Sequence, residues 1–324
     1  MLDGTVATGT LALSRATNVE SYFGAAPSPA QRAAARRLYV QAASVYDGTV
    51  SMLQRGTHPE FDIVERIAQR TVDAVRDDAA ALVGLTTVKA LAVSPVERIV
   101  KTHAVNVMVH SVALALAVGI ERTACVPIAL AGLLHDLGRD ATGESRDHGL
   151  AGVSAILRAG PVERVAHAAW IAVEHLEEFR GPVRTIAPGS EDPSLGIVRI
   201  ADAYDDLTAR PGLAGSPDLV VAFLLQATGA RFEPTLLQRF AQLLGIYPPG
   251  TTVRLAGGEI GVVVRPNPLI AKLDRPLVRV LRDSAGHAVP GEEWIDLDCS
   301  PATRIVESLD PSILGIVPGD VFLH

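Results

Sequence analysis

The chain has 324 residues, of which 48% are apolar and only 4% are aromatic. This composition excludes an intrinsically disordered protein and predicts one or two domains whose cores consist mainly of aliphatic side chains. The formal net charge of -7 argues against a protein that binds polymeric nucleic acid through a general basic surface.

The cysteines and the apolar runs indicate where such a chain works. Cys125 and Cys299 are far apart and form no Cys-x-x-Cys pair, which favours a reducing compartment over a disulfide scaffold. No basic segment precedes the first apolar stretch, so a secretory signal is not expected. The apolar runs are shorter than the roughly 20 residues that cross a bilayer. We therefore expect a cytoplasmic protein with no membrane partner.

Helical periodicity dominates the first three quarters of the chain. Residues 1–60 are predicted to form an N-terminal region with irregular and helical parts, and residues 61–245 a helical domain. One helix near residue 61 is expected to bury a face made of Ile63, Ile67, Val72 and Val75. Further helices are predicted over residues 96–120, 126–138, 147–158, 161–178, 194–209, 217–229 and 234–244.

The pattern changes near residue 246. The segment TTVRLAGGEIGVVVRP alternates around Gly257 and Gly258, and RPLVRVLRD is a further alternating run, so at least three short strands are predicted. The tail is too rich in proline to assign. The sequence thus predicts a mainly α protein, a helical bundle followed by a small β unit over residues 246–324.

A histidine and an aspartate stand side by side at the end of the apolar run AGLLHDLGRD. The imidazole of His135 and the carboxylate of Asp136 are both ligands for divalent metals, although such a pair alone is more often a helix terminus. His103 precedes it and Asp202 follows it, each in its own predicted helix. Helices that converge in a bundle hold metal ligands rigidly, so the four residues together predict a metal site.

These residues stand in the order of the H…HD…D pattern of the HD superfamily of metal-dependent phosphohydrolases. The segments THAVNVMVHSVALALAVGI, LAGLLHDLGR, DHGLAGVSAILRAG, AVEHLEEFRGP and IVRIADAYDDLTA resemble the HD-GYP family, and the resemblance covers approximately residues 65–298. It implies an HD-type helical bundle and a metal-dependent phosphodiesterase that hydrolyses cyclic di-GMP or a related cyclic dinucleotide.

The resemblance also implies a ligand set for two divalent ions. The first ion would be held by His103, His135, Asp136 and Asp202. Asp136 would bridge to a second ion held by His148 and His175. Iron or manganese is expected ahead of nickel or zinc, since mixed imidazole and carboxylate ligation suits all four.

Catalytic roles are implied for Asp136, Asp202 and Arg139. Arg139 stands where the family usually has lysine, and its guanidinium could bind a phosphate in a bidentate manner. A solvated cation at a helix end is an equally good interpretation of this residue.

Several positions depart from the family pattern. Leu176 replaces the second histidine of a pair and Ile99 replaces a glutamate, so a third ion is not expected. The GYP motif is missing, because only Arg180, Gly181 and Pro182 remain of its loop, and the segment before His148 is short. A non-catalytic signalling or interaction module, or an HD phosphohydrolase of another nucleotide, therefore stays an alternative.

The expected partner is a small phosphodiester or cyclic dinucleotide substrate, and a homodimer or a signalling partner is left open. His110 and His167 are interpreted as core or boundary histidines. Asp205 and Asp206 lie one turn after Asp202, where they could orient a ligand by a hydrogen bond, but such a pair more often faces water. No chemistry is assigned to His58, His287 or His324.

Overall fold

The protein is described here by a computed structural model that covers residues 28–92, 99–142, 148–180, 192–210, 216–229, 231–267 and 269–323. For residues 90–92, 99–101, 141–142, 148–151 and 175–180 it describes the backbone alone. The mainly α fold with a small C-terminal β unit, predicted from the sequence, is confirmed.

The helices of the N-terminal three quarters pack into one bundle around an aliphatic core. A short antiparallel hairpin, β1 (Ala90–Ala92) and β2 (Ile99–Lys101), lies within it. The helices are α1 (Pro29–Gln54), α2 (Phe61–Asp77), α3 (Ala79–Leu85), α4 (His103–Ala117), α5 (Arg122–Leu134), α6 (Leu137–Thr142), α7 (His148–Ala159), α8 (Val162–Arg180), α9 (Pro193–Ala209), α10 (Pro217–Gln226) and α11 (Pro234–Leu244).

An antiparallel sheet follows the bundle. The elements are β3 (Thr252–Leu255), β4 (Ile260–Arg265), a 3-10 turn (Ile270–Lys272), β5 (Leu277–Arg282), β6 (Ala288–Asp296), β7 (Ile305–Ser308), α12 (Pro311–Leu314) and α13 (Asp320–Leu323). The strand order is β6-β5-β4-β3-β7 in the described part of the chain. Gly258 has a φ of 99° in the turn that joins β3 to β4, as the predicted glycine hairpin requires.

Helices α4 and α5 lie unusually close together at Gly132. A methyl group on this residue would lie 3.0 Å from the Cα atom of Met108, tighter than nearly all real contacts of a Cβ atom. The missing side chain therefore lets the end of α5 approach the middle of α4. This approach brings the C-terminal end of α5 beside the residues that begin α4.

Several predicted helix boundaries were wrong. The helix expected from residue 96 begins at His103, because Ile99 pairs with Ala92 in the β hairpin. The helix expected over residues 126–138 is two helices, interrupted at His135 and Asp136. The helix expected to residue 229 ends at Gln226.

The predicted buried face of α2 is only partly correct. Ile67, Val72 and Val75 are buried, but Ile63 is 42% exposed and Val64 takes its place in the core. A shift of one residue turns a side chain by about 100° around a helix axis. The division of the chain near residues 60 and 246 stays a prediction.

The β unit contacts the bundle through α1. Nη2 of Arg32 lies 3.0 Å from Oε2 of Glu292, and the guanidinium lies 5.6 Å from the ring centre of Trp294.

No described helix combines the length and the apolar character needed to span a lipid bilayer.

His110 is a core histidine, as expected, but an unusual one. It is 1% exposed, and neither ring nitrogen makes a hydrogen bond to the described residues. Its ring packs edge-to-face on Tyr204 and Phe240, with centroids 5.0 and 5.7 Å away. Burial lowers the pKa of His110 to about 4, so the ring is neutral in the folded protein at neutral pH.

We predict that His110 makes the fold sensitive to acid. Its folded pKa lies below the value of about 6.5 in the unfolded chain, so the unfolded state binds a proton first as the pH falls. The free energy of unfolding should therefore lose about 1.4 kcal/mol per pH unit between about pH 6.5 and 4 through this residue. Between pH 7 and pH 5, the free energy of unfolding measured with urea should fall less in His110→Phe than in wild type.

His287→Phe serves as the control, because the His287 side chain is 80% exposed. This variant should keep the pH dependence of the wild type. If the free energy of unfolding falls by the same amount between pH 7 and pH 5 in His110→Phe and wild type, the prediction is contradicted.

Candidate metal centre

Three helical segments bring four of the sequence-predicted residues to one point. His103 is the first residue of α4, and His135 and Asp136 occupy the break between α5 and α6. Asp202 lies within α9, whose start is capped by Asp192 through hydrogen bonds from two backbone N–H groups. The cap at the start of α9 and the break between α5 and α6 thus fix the backbone positions from which the four side chains converge.

The facing donor atoms are nearly equally spaced. Nε2 of His103 lies 3.4 Å from Oδ2 of Asp136 and 3.3 Å from Oδ1 of Asp202. Nε2 of His135 lies 3.5 and 3.4 Å from the same two oxygens. Ligands with bonds of about 2.1 Å to one ion in a tetrahedral arrangement are about 3.4 Å from each other. The spacing therefore fits a single divalent cation.

The other ring nitrogens determine which nitrogen can bind a metal. Nδ1 of His103 donates to Oδ2 of Asp205 at 2.9 Å, and Nδ1 of His135 donates to the Gly132 carbonyl at 2.8 Å. With an ion bound, each Nδ1 would carry the single proton of a neutral imidazole, and each Nε2 would offer its lone pair. The buried Nε2 of His103 makes no hydrogen bond to the described residues, as expected of a nitrogen that faces a metal.

The electrostatics of the cluster also fit a cation. Burial alone would lower the pKa of His103, but Asp136, Asp202 and Asp205 outweigh it and raise that pKa well above its usual range. Burial likewise opposes the charge of Asp202, yet the facing rings of His103 and His135 hold its pKa far below the ordinary value. The carboxylates thus favour positive charge at this point.

Asp205 supports the cluster from behind. Its carboxylate is 2% exposed and accepts hydrogen bonds from the Asn106 amide at 2.9 Å and from the Lys89 ammonium. The Lys89 ammonium also donates to the Thr208 hydroxyl at 2.8 Å. Burial would raise the pKa of Asp205, but Lys89 and His103 hold it at about 2. The Asp206 side chain is 53% exposed.

Arg139 lies on the opposite side of the cluster. Its Nη2 is 2.5 Å from Oδ2 of Asp136, and its Nε is 3.6 Å from Oδ1 of Asp140. The Arg139 side chain is 35% exposed, so this cation is only partly solvated. It lies where it could contact an anion held beside Asp136.

The predicted second site cannot be described at the level of side chains. His148 is the first residue of α7 and His175 lies in α8, but their side chains are outside the described part of the structure. The same holds for the side chains of Ile99 and Leu176. Two short segments depart from the HD-GYP pattern, residues 139–147 and 180–182, and most of each, residues 143–147 and 181–182, is also outside the described residues.

Sequence reasoning missed Lys89 and Asn106. Asn106 lies one helical turn after His103, so its position was a usable signal for a supporting role. Lys89 belongs to no motif, and it is 116 residues from Asp205 in the chain. Only the tertiary structure brings them together.

Two family models match parts of the chain. One is described as an HD domain and matches residues 100–207, which include His103, His135, Asp136 and Asp202. The other is described as a KOW domain associated with the HD domain and matches residues 252–315. The second match covers the antiparallel sheet.

A curated relative is similar over much of the chain. A protein of Pseudomonas aeruginosa, named as a cyclic di-GMP phosphodiesterase, is 26% identical over 238 residues, which are 65% of this chain. The matched region spans 56% of the length of that relative. No solved structure matches the chain significantly.

We predict that Lys89→Met destabilises the protein. The substitution removes the cation from a buried carboxylate, and leaving a buried polar group without its partner costs about 1–3 kcal/mol. The unfolding temperature measured by circular dichroism should therefore fall clearly. Lys272→Met is the matched control, because Lys272 pairs with Asp298 at the surface and such pairs contribute about 0–1 kcal/mol. Equal effects of the two substitutions would contradict the importance of the Lys89 contact.

Proposed function

We propose that this chain, which belongs to the HD superfamily and is similar to its HD-GYP group, is a metal-dependent phosphodiesterase. The observation that carries the proposal is the convergence of two Nε2 atoms and two carboxylate oxygens at separations of 3.3–3.5 Å. The similarity to a cyclic di-GMP phosphodiesterase supports the reaction class.

Each residue of the cluster has a proposed role. His103, His135, Asp136 and Asp202 would hold the first ion, and Asp136, His148 and His175 would hold a second. Bound divalent ions would activate water and neutralise charge on the phosphodiester.

Asp205 keeps Nε2 of His103 free for binding, because its carboxylate accepts the hydrogen bond from the Nδ1 proton. Arg139, beside Asp136, contacts a phosphoryl oxygen and stabilises the charge that develops there.

We propose a small phosphodiester as the substrate, with weak activity on cyclic di-GMP. Binding a large cyclic dinucleotide requires walls around the metal ions. The sequence has shortened segments after Arg139 and after Phe179, where the HD-GYP family has longer ones. The chemistry of the ions needs only their ligands, so cleavage of generic phosphodiesters should survive the loss of these walls.

A non-catalytic signalling module is the second candidate. The contact between Arg139 and Asp136 favours it, because a guanidinium at this distance neutralises the carboxylate without an ion. Activity measurements separate the two candidates, and an HD phosphohydrolase of another nucleotide would be recognised by its substrate range.

We predict that manganese- or iron-loaded protein slowly cleaves bis(p-nitrophenyl) phosphate, and cleaves cyclic di-GMP less well than a family member with the full loop. Asp136→Asn should lower kcat/KM by more than the roughly 10–100-fold typical of residues that only support a ligand. Asp298→Asn, in the β unit, should retain wild-type activity. No hydrolysis by the wild type, or full activity of Asp136→Asn, would exclude the enzyme and favour the signalling module.

We further predict close to two divalent ions per chain, measured by inductively coupled plasma mass spectrometry on anaerobically purified protein. His148→Ala should remove one ion, because this histidine is a proposed ligand of the second. His167→Ala is the control on the neighbouring helix. Three tightly bound ions, or an unchanged metal content in His148→Ala, would show that the proposed ligand set is wrong.

A further inference from the structure

Helix α1 lies outside the residues matched by the HD model, yet it reaches both sides of the metal centre. Tyr39 and Tyr46 are seven residues apart and therefore share a face, about 10.5 Å apart along the axis. They are 1% and 6% exposed. Burial raises the pKa of both hydroxyls well above the ordinary value, so both remain hydrogen-bond donors.

The path from Tyr39 leads to His103. The Tyr39 hydroxyl donates to Oδ1 of Asn106, and it also lies 3.3 Å from the Val88 carbonyl. Because the amide oxygen faces the hydroxyl, the amide nitrogen of Asn106 faces Asp205, to which it donates at 2.9 Å. Asp205 in turn holds Nδ1 of His103. The Thr86 carbonyl accepts from the same amide nitrogen at 3.0 Å. Tyr39, on the oxygen side, and this carbonyl together fix the orientation of an amide that positions the support of a proposed metal ligand.

The path from Tyr46 leads to Arg139. The Tyr46 hydroxyl donates to Oδ2 of Asp140 at 2.8 Å, and the other carboxylate oxygen faces Nε of Arg139 at 3.6 Å. Gln54, two turns further along α1, donates to the backbone carbonyl of Asp140 at 3.0 Å. Asp140 is therefore held at two points by α1 and cannot easily move with the guanidinium.

We propose that Tyr39 and Tyr46 are positioning residues, through which helix α1 fixes His103 on one side of the centre and Arg139 on the other. This inference rests on the proposed function, since it assigns the two paths to metal binding and phosphate contact. The two tyrosines have different roles. Tyr39 acts on affinity for the metal, and Tyr46 acts on the interaction with the substrate.

Phenylalanine substitutions test the hydroxyls while keeping the rings that pack in the core. Tyr39→Phe should weaken Mn²⁺ binding by about 10-fold, at the lower end of the range for residues that support a ligand, as measured by isothermal titration calorimetry. Tyr46→Phe should leave Mn²⁺ affinity within about 3-fold and raise the KM for bis(p-nitrophenyl) phosphate by about 10-fold. Tyr247→Phe, in the loop before the β unit, is the control and should match the wild type.

A double-mutant cycle separates the path from general packing. If Tyr46 acts through Asp140, then Tyr46→Phe should have little further effect on KM in an Asp140→Asn background. Each variant is measured below its own unfolding temperature, and urea unfolding of the same four proteins gives an independent coupling between the two residues. Additive effects on both KM and stability would overturn the Tyr46 path.

The outcomes distinguish this inference from the proposed function. Wild-type protein that binds no Mn²⁺ would overturn both. Wild-type protein that binds Mn²⁺ and cleaves the phosphodiester, with Tyr39→Phe and Tyr46→Phe indistinguishable from Tyr247→Phe, would overturn the inference alone. Loss of affinity in Tyr39→Phe and of substrate interaction in Tyr46→Phe, with an unchanged control, supports it.

Discussion

The buried carboxylate of Asp205 is the interaction on which the candidate centre depends. A carboxylate removed from water is costly unless charged or polar partners surround it, and here His103, Asn106 and Lys89 all donate to it. In return, Asp205 determines which nitrogen of His103 carries the proton. The side of the His103 ring that faces the cluster is therefore set by a buried charge whose partners all come from the bundle.

Close helix packing supplies the second half of the centre. The absence of a side chain at Gly132 lets α5 approach α4, and the carbonyl of the same residue accepts the Nδ1 proton of His135. The helix then breaks, so His135 and Asp136 can face one point although they are adjacent in sequence. Both residues are buried, 0% and 2% exposed, and removal from water strengthens each electrostatic contact at this point.

The supports of the centre extend beyond the HD match. Residues 100–207 contain the four converging residues, but Lys89 precedes that range, and α1 supplies Tyr39 and Tyr46. The candidate centre therefore has hydrogen-bonded supports both inside the HD match and in the N-terminal helix α1 outside it. A fragment restricted to the HD match would keep the candidate ligands and lose part of what orients them.

Local patterns in the sequence were sufficient for the fold class and for the β unit with its hairpin at Gly258, because helical periodicity and turn chemistry are short-range properties. The group of His103, His135, Asp136 and Asp202 extends over residues 103–202, and it was predicted from its resemblance to the HD pattern.

Tertiary structure alone decided where α4 begins, because the strand before it exists only through pairing with β1. It alone decided the partners of Asp205 as well, since Lys89 and Asn106 are 116 and 99 residues away from it in the chain. No local period encodes such distant contacts. They arise because a buried charge takes whichever donors the packed helices bring within reach.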